Sequence, residues 1–240
     1  MASISFIIPA YNEERLLGRT LRALDHATRA LHDEAEVIVV DDASTDRTAA
    51  IAHEHGARVV AAKCRQIAAT RNAGAREATG EMLVFVDADT IVTEVTIRAA
   101  IAAIRGGAVG GGCAFRFDGR VPLYGRVLAA IVVPLYRTLR LASGCLLFCT
   151  REAFRAAGGW DETLFAAEEI AMSQGLRRQG RFVILRESVT TSGRKLRAYS
   201  GRESLGILLR LSLAGRKGVR RREGLGSWYG ERRADPESDA

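Results

Sequence analysis

The chain has 240 residues, 48% hydrophobic and 26% charged, which excludes a disordered or low-complexity chain and leaves room for one large core. Its four cysteines, Cys64, Cys113, Cys145 and Cys149, form no CxxC pair, which excludes a disulfide-dense secreted scaffold and predicts reduced thiols in a cytoplasmic protein. The net charge of +7 is concentrated: residues 194–222 carry ten Lys or Arg against one acid, so that segment is +9 and the remainder −2, a footprint of phosphate-bearing ligands or anionic lipid head groups rather than of nucleic acid.

In chain order, residues 4–9 (ISFIIP) predict a buried strand that starts too abruptly, and without a basic flank, for a signal peptide. A loop, AYNEE, leads into a helix with Leu16, Leu17, Leu21 and Leu24 on one face. Residues 37–40 predict a second strand that ends in Asp41 and Asp42, after which Ser44 or Thr45 is expected to cap a helix. A short third strand over 58–61 precedes a helix over 66–77. His53 and His55 are expected on a solvated face, and Cys145 and Cys149 in the core.

The stretch EMLVFVDADT, residues 81–90, organises this half. Five apolar residues end in two carboxylates, Asp87 and Asp89, at the C-terminal end of a buried strand, where open α/β sheets bind ligands. Oxygen donors there suit a hard divalent cation, Mg²⁺ or Mn²⁺. Strand–helix alternation over the first 90 residues predicts a parallel sheet wound by right-handed crossovers. The first turn, PAYNEE, has no GxGxxG, and no GxxxxGK[ST] occurs, so phosphate handling falls to a cation rather than to a glycine-rich loop.

Three blocks, ISFIIPAYNEE, VIVVDDASTD and RNAGAREATGEMLVFVDADT, together resemble glycosyltransferase family 2, inverting enzymes of the GT-A fold. The resemblance is close over residues 4–90 and looser to about 180. It implies an α/β GT-A-like catalytic domain over 1–193, with a mostly parallel central sheet and helices on both faces. Residues 1–90 would bind the nucleotide sugar and 91–193 the acceptor, with a basic extension over 194–240. Carried over, Pro9, Ala10, Tyr11 and Glu13 line the nucleoside pocket, and Asp42 or its neighbour Asp41 accepts from the base. Arg71 approaches the phosphates, Asp87 the ribose, and Asp89, with Asp87 beside it, the metal.

The second half is less regular. Residues 108–117, with Gly110, Gly111 and Gly112, predict a strand in which glycine admits a close neighbour or marks a bulge. Residues 122–141 have helical period apart from Pro134; 141–150 predict a strand and 151–157 a helix ended by glycines. The turn GGWDE resembles the family's GGFDE, which a Glu-Asp pair follows; here the pair is Glu168 and Glu169, a departure that leaves either as the base, with Glu169 in the matching register. Acids also suit a helix N-terminus for structural reasons alone. A last strand is predicted over 182–185, and residues 190–197 resemble a basic stretch that closes over the diphosphate.

The apolar windows 127–135 and 205–213 are too short to span a bilayer. Residues 203–213 read equally as an interfacial helix and as one packed on the domain, so membrane contact is expected to be peripheral, at the inner face. The resemblance thus implies a metal-dependent transferase moving a sugar from a nucleoside-diphosphate sugar to a hydroxyl or phosphate acceptor, lipid-linked or of the cell envelope. Nucleotidyl transfer and non-catalytic binding of a sugar nucleotide or lipid head group are the alternatives.

Overall fold

A computed structural model describes residues 3–29, 31, 33–203, 206, 219, 220, 222 and 235. The N-terminal half alternates strand and helix: β1 (Ile4–Ala10), α1 (Leu17–Arg29), β2 (Ala35–Asp42), α2 (Thr48–Glu54), β3 (Arg58–Ala62), α3 (Ile67–Glu77) and β4 (Met82–Val86). Then come β5 (Thr90–Ile91), α4 (Glu94–Arg105), β6 (Gly110–Phe117), α5 (Leu123–Leu139), β7 (Leu146–Thr150) and α6 (Arg151–Ala156). The final elements are α7 (Glu168–Gln179), β8 (Phe182–Thr191) and α8 (Arg194–Ala198). Residues 203–213, expected to be a helix, fall almost entirely outside the described residues.

One eight-stranded sheet runs β3-β2-β1-β4-β7-β6-β8-β5. The pairs among β3, β2, β1 and β4 are parallel, as is β6 with β8, while β7 is antiparallel to both neighbours and β5 to β8. Alternation along β1 explains why its residues are apolar apart from Ser5: Phe6 and Ile8 enter one core and Ile7 the other, while the Ser5 hydroxyl donates to Glu36. The first core is roofed by α1, α2 and α4 through Leu17, Leu21, Leu24, Ala52, Ile97 and Ile101. The second is roofed by α3, α6 and α7 through Ala68, Phe154, Met172 and Leu176. Because β1, β2 and β4 point the same way and β7 the opposite way, the ends of the first three and the start of the fourth share one edge. Val86 pairs with Leu146 there, and the Asp87 N–H donates to the Cys145 carbonyl at 3.3 Å.

Several local expectations change. The cap of α2 is neither Ser44 nor Thr45; the Asp46 carboxylate accepts from the Thr48 N–H at 2.9 Å and from its hydroxyl at 2.5 Å. Helix α5 continues through Pro134, whose turn faces solvent, so the missing hydrogen bond leaves no buried carbonyl unpaired. The strand over 141–150 shrinks to β7, and the one over 182–185 extends to Thr191. The glycine run of β6 serves close backbone approach, and a register shift against β8 follows it between Cys113 and Ala114. The cysteines are free, Cys64 exposed and the other three buried.

A Cβ on Gly111 would lie 2.3 Å from the Val183 carbonyl oxygen and 2.6 Å from the Phe148 ring. Gly111→Ala should therefore destabilise the fold by about 1–3 kcal/mol through overpacking. Urea denaturation checks this, with a shifted midpoint at unchanged slope as the expected result.

Candidate functional site

The loops at the shared edge are sewn together by short polar side chains. After β1, the N–H groups of Asn12, Glu13 and Glu14 donate to Ser44 Oγ (3.0 Å), Thr48 Oγ1 (2.7 Å) and Asp46 Oδ2 (3.1 Å), and Asn12 Oδ1 accepts the Thr45 N–H at 2.8 Å. Asn12, Ala43, Arg65 and Ala167 hold positive φ in the loops of this edge, a concentration of unfavourable backbone typical of binding sites. Tyr11 is half-buried, and the Arg65 guanidinium carbon stands 3.7 Å above its ring centre. Pro9 and Ala10 end β1, paired with Val40 and Asp41.

The two acids closing β2 have different surroundings. Asp42 is buried and its carboxylate caps the approach to α3, accepting the N–H groups of Cys64 (2.7 Å) and Arg65 (2.9 Å) and the Thr70 hydroxyl (2.9 Å). Asp41, one residue earlier and thus on the other face of the strand, is half-buried and accepts the Ser44 N–H at 3.2 Å.

Arg71 is the centre of the site. Its side chain is 1% exposed and donates to Asp87 Oδ1 at 2.8 Å, Glu168 Oε1 at 3.1 Å and the Gly144 carbonyl at 3.0 Å. Its guanidinium lies 4.5 Å from the ring centre of Trp160, which is itself set edge-on to Phe85. Burial alone would weaken the charge of Arg71; the carboxylates of Asp87 and Glu168 more than restore it. The next residue, Asn72, fixes Trp160 from both sides, accepting its N–H and donating to its carbonyl at 2.9 Å each. Gln66, which caps α3, donates to the carbonyls of Glu162 and Leu164. Helix α3 thus holds the whole GGWDE turn.

That turn delivers α7, whose first two residues are Glu168 and Glu169 after the left-handed Ala167. Glu168 is buried in the Arg71 clamp, and Glu169 is half-buried outside it. Burial and then the charge of Glu168 push the Glu169 carboxyl well above the usual carboxylate range. The inner face of α5 borders this pair: burial, then the charges of Glu169 and Glu168, push the Tyr136 phenol up to about 12.

At the other side, Asp89 follows the β4 end, and α1 steadies this turn through the Thr20 hydroxyl, which donates to the Ala88 carbonyl at 2.8 Å. Asp89 Oδ2 lies 3.1 Å from Arg194, and the Thr191 hydroxyl reaches Oδ1 at 3.4 Å. Arg194 makes a two-pronged pair with buried Glu13, at 2.6 and 2.7 Å. Burial pushes Asp89 up to about 6 against the pull of Arg194, so one guanidinium balances this carboxylate incompletely. Such a site fits a divalent cation. Among the described residues no three His, Cys, Asp or Glu converge on a ready-made cation cage.

The structure thus brings together Arg71, Asp87, Glu168 and Glu169 in one group and Glu13, Asp89 and Arg194 in another, with Tyr11 and Asp41 on the adjoining loops. Arg65, Trp160 and the Gly144 carbonyl were missed as individual contributors. A basic residue in the β3–α3 loop and a Trp in a double-glycine turn were the available signals; a backbone carbonyl leaves none.

This arrangement, with acids at parallel strand ends facing acids at a helix start across an antiparallel strand, is that of the GT-A nucleotide-sugar transferases. The family model for Glycosyl transferase family 2 matches residues 5–151, and the chain belongs to that family. Among solved structures, the mannosyltransferase PcManGT from Pyrobaculum calidifontis, in complex with GDP-Man and Mn²⁺, matches with TM-score 0.69 over 88% of this chain and 61% of that one, at 21% identity. S. aureus TarS 1–349 in complex with UDP-GlcNAc gives 0.64 over 94% and 69%, at 19% identity. Validoxylamine A glucosyltransferase of Streptomyces hygroscopicus subsp. jinggangensis is 36% identical over 128 residues, half of this chain and 30% of that protein. The undecaprenyl-phosphate 4-deoxy-4-formamido-L-arabinose transferase of Enterobacter sp. is 33% identical over 93 residues, 36% and 28% respectively. The matched stretches therefore span under a third of these two relatives' own length.

Removing the cation that two acids share should unfold this edge. Arg71→Met is expected to cost about 3–5 kcal/mol, since it leaves buried carboxylates unpaired. Arg71→Lys should recover part of that loss, keeping the charge but not the fork geometry. Chemical denaturation of the two variants side by side measures both.

Proposed function

We propose that the protein transfers a sugar from a nucleoside-diphosphate sugar to an acceptor oxygen, with inversion, in a single in-line displacement. The observation that carries this is the Arg71 clamp: one guanidinium ties Asp87, on the donor side, to Glu168, on the helix that also presents Glu169. Donor and base are thereby held on one rigid frame, the orientation that such a displacement requires.

Tyr11 and the carboxylate of Asp41, rather than the fully engaged Asp42, would contact the base, with Pro9 and Ala10 behind them. Asp87 would reach the ribose and Asp89 would hold Mg²⁺ or Mn²⁺. When bound, that cation would neutralise charge on the diphosphate. Arg71 acts here as a positioning residue, because both of its terminal nitrogens, Nη1 and Nη2, donate to the protein itself. Glu169 would remove the proton from the acceptor as it attacks, while Glu168 stays in the Arg71 clamp. The undecaprenyl-phosphate relative favours a lipid-linked acceptor; with Glu169 as base its attacking group is a hydroxyl, because a phosphate monoester is largely ionised near neutral pH and would offer no proton to remove.

The donor side is tested by a thermal-shift series of UDP-, GDP- and dTDP-sugars with and without Mn²⁺. A donor at 100 times its Kd should stabilise the fold by about 2.7 kcal/mol. Asp89→Asn should melt near wild type without ligand and lose the Mn²⁺-dependent part of that gain; a retained metal effect would remove the assignment of Asp89.

The base is tested by Glu169→Gln, expected to lower kcat by about 10²–10⁴ with donor affinity unchanged. Glu168→Gln should instead show reduced stability, since it empties one arm of the Arg71 clamp. In the wild type kcat/KM should rise with pH, because the raised Glu169 must lose its proton to act. Its acid limb should lie above the usual carboxylate range, and a limb near pH 4 would contradict the assignment.

A further inference from the structure

Helix α5 is amphipathic with its apolar face turned to solvent. Leu123, Val127, Ile131, Leu135 and Leu139 recur every fourth residue and are 72, 52, 61, 48 and 47% exposed. Ala130 and Pro134 fill the same exposed face, while Gly125 is the buried residue of the helix. The stripe is about 24 Å long at 1.5 Å per residue, and a continuous exposed apolar surface of this kind marks an interaction site.

The charge around it has one sign. From residue 119 to 151 there is no Asp or Glu, whereas Arg120, Arg126, Arg137 and Arg140 lie on or beside the helix. At its C-terminal end Arg137 and Arg140 join Arg181 and Arg186 around an open cavity of about 460 Å³, floored by residues 182–185 of β8. Arg137 also donates to the Arg186 carbonyl at 2.9 Å, which ties helix and cavity into one surface.

We propose that α5 is a membrane-docking helix, lying in the interface of an anionic bilayer with its leucine and isoleucine stripe among the acyl chains and its arginines on lipid phosphates. Seventeen residues are too few to cross the hydrocarbon core, and no described helix is long and apolar enough to do so, so the helix lies on the membrane. A second copy of the chain is a poorer occupant. Two stripes related by a twofold axis would bring Arg126 and Arg137 of both copies together with no acid on the helix to balance them.

The test is cosedimentation of the full chain with vesicles of mixed phosphatidylglycerol and phosphatidylcholine, and with phosphatidylcholine alone. Wild type should bind the anionic vesicles in a salt-sensitive way. Val127→Glu/Ile131→Glu should bind at least tenfold more weakly while melting at the wild-type temperature, because both side chains are exposed. The proposal is overturned by a wild type that binds neither vesicle, or by a double variant that binds as wild type, which would assign contact to the basic residues 194–222. It is equally overturned if the double substitution turns a wild-type dimer into a monomer in sedimentation. A fall in melting temperature without lipid would overturn it too, since the chain itself would then cover the stripe.

Discussion

A guanidinium with 1% of its surface in contact with solvent has to be balanced where it stands, and in this protein that requirement falls on Arg71. An unpaired charge in such a place costs several kcal/mol, so Asp87, Glu168 and the Gly144 carbonyl cannot drift from it independently. Each comes from a different stretch: the end of β4, the start of α7 and the approach to β7. The aromatic wall of the cage, Trp160, is fixed by the neighbouring Asn72, and the loop beyond it by Gln66. One turn and a half of α3 therefore determines how the two halves of the chain meet. Well-packed apolar groups could match the energy of such buried ion pairs but not their geometry.

Much of the N-terminal half could be read from the residues because β1, the latter half of β2 and β4 are buried on both faces and lead abruptly into polar groups. ISFIIPA, VIVV and MLVFV have no alternation to confuse them with amphipathic helices, and Asp41, Asp42, Asp87 and Asp89 mark where the chain leaves the core. Pairing across long separations is different. Arg194 reaches Glu13 over 181 residues, and nothing in either neighbourhood announces the other. The two-residue β5 exists only because Thr90 and Ile91 find Thr191 and Thr190. A pair of adjacent acids likewise carries no label for which one faces inward; Asp42 and Glu168 are held by internal partners, and their neighbours are not so enclosed.

Periodicity was least informative where it was strongest. The leucine and isoleucine spacing of α5 predicts a helix with one apolar face, and a helix is what forms. The pattern says which residues share a side but not which way that side points. Here α5 approaches the sheet through Val133 and Tyr136 and meets α8 through Tyr124 and Gly125, and the more regular apolar row is left outside. Local chemistry also displaced the expected caps: Asp46, two residues ahead of Thr48, satisfies the start of α2 in place of Ser44 or Thr45, which are drawn instead to Asn12.

The seams between the β1 and β2 loops bear on the entropy of recognition. Asn12, Glu13 and Glu14 already have their backbone donors matched to Ser44, Thr48 and Asp46. A ligand arriving at this edge would find the wall in place rather than having to freeze it, so little conformational freedom remains to be lost there on binding. Differences in affinity between ligands at that wall would then report the contacts each one makes, and a rigid copy of the loops is a fair template for asking which heterocycle fits.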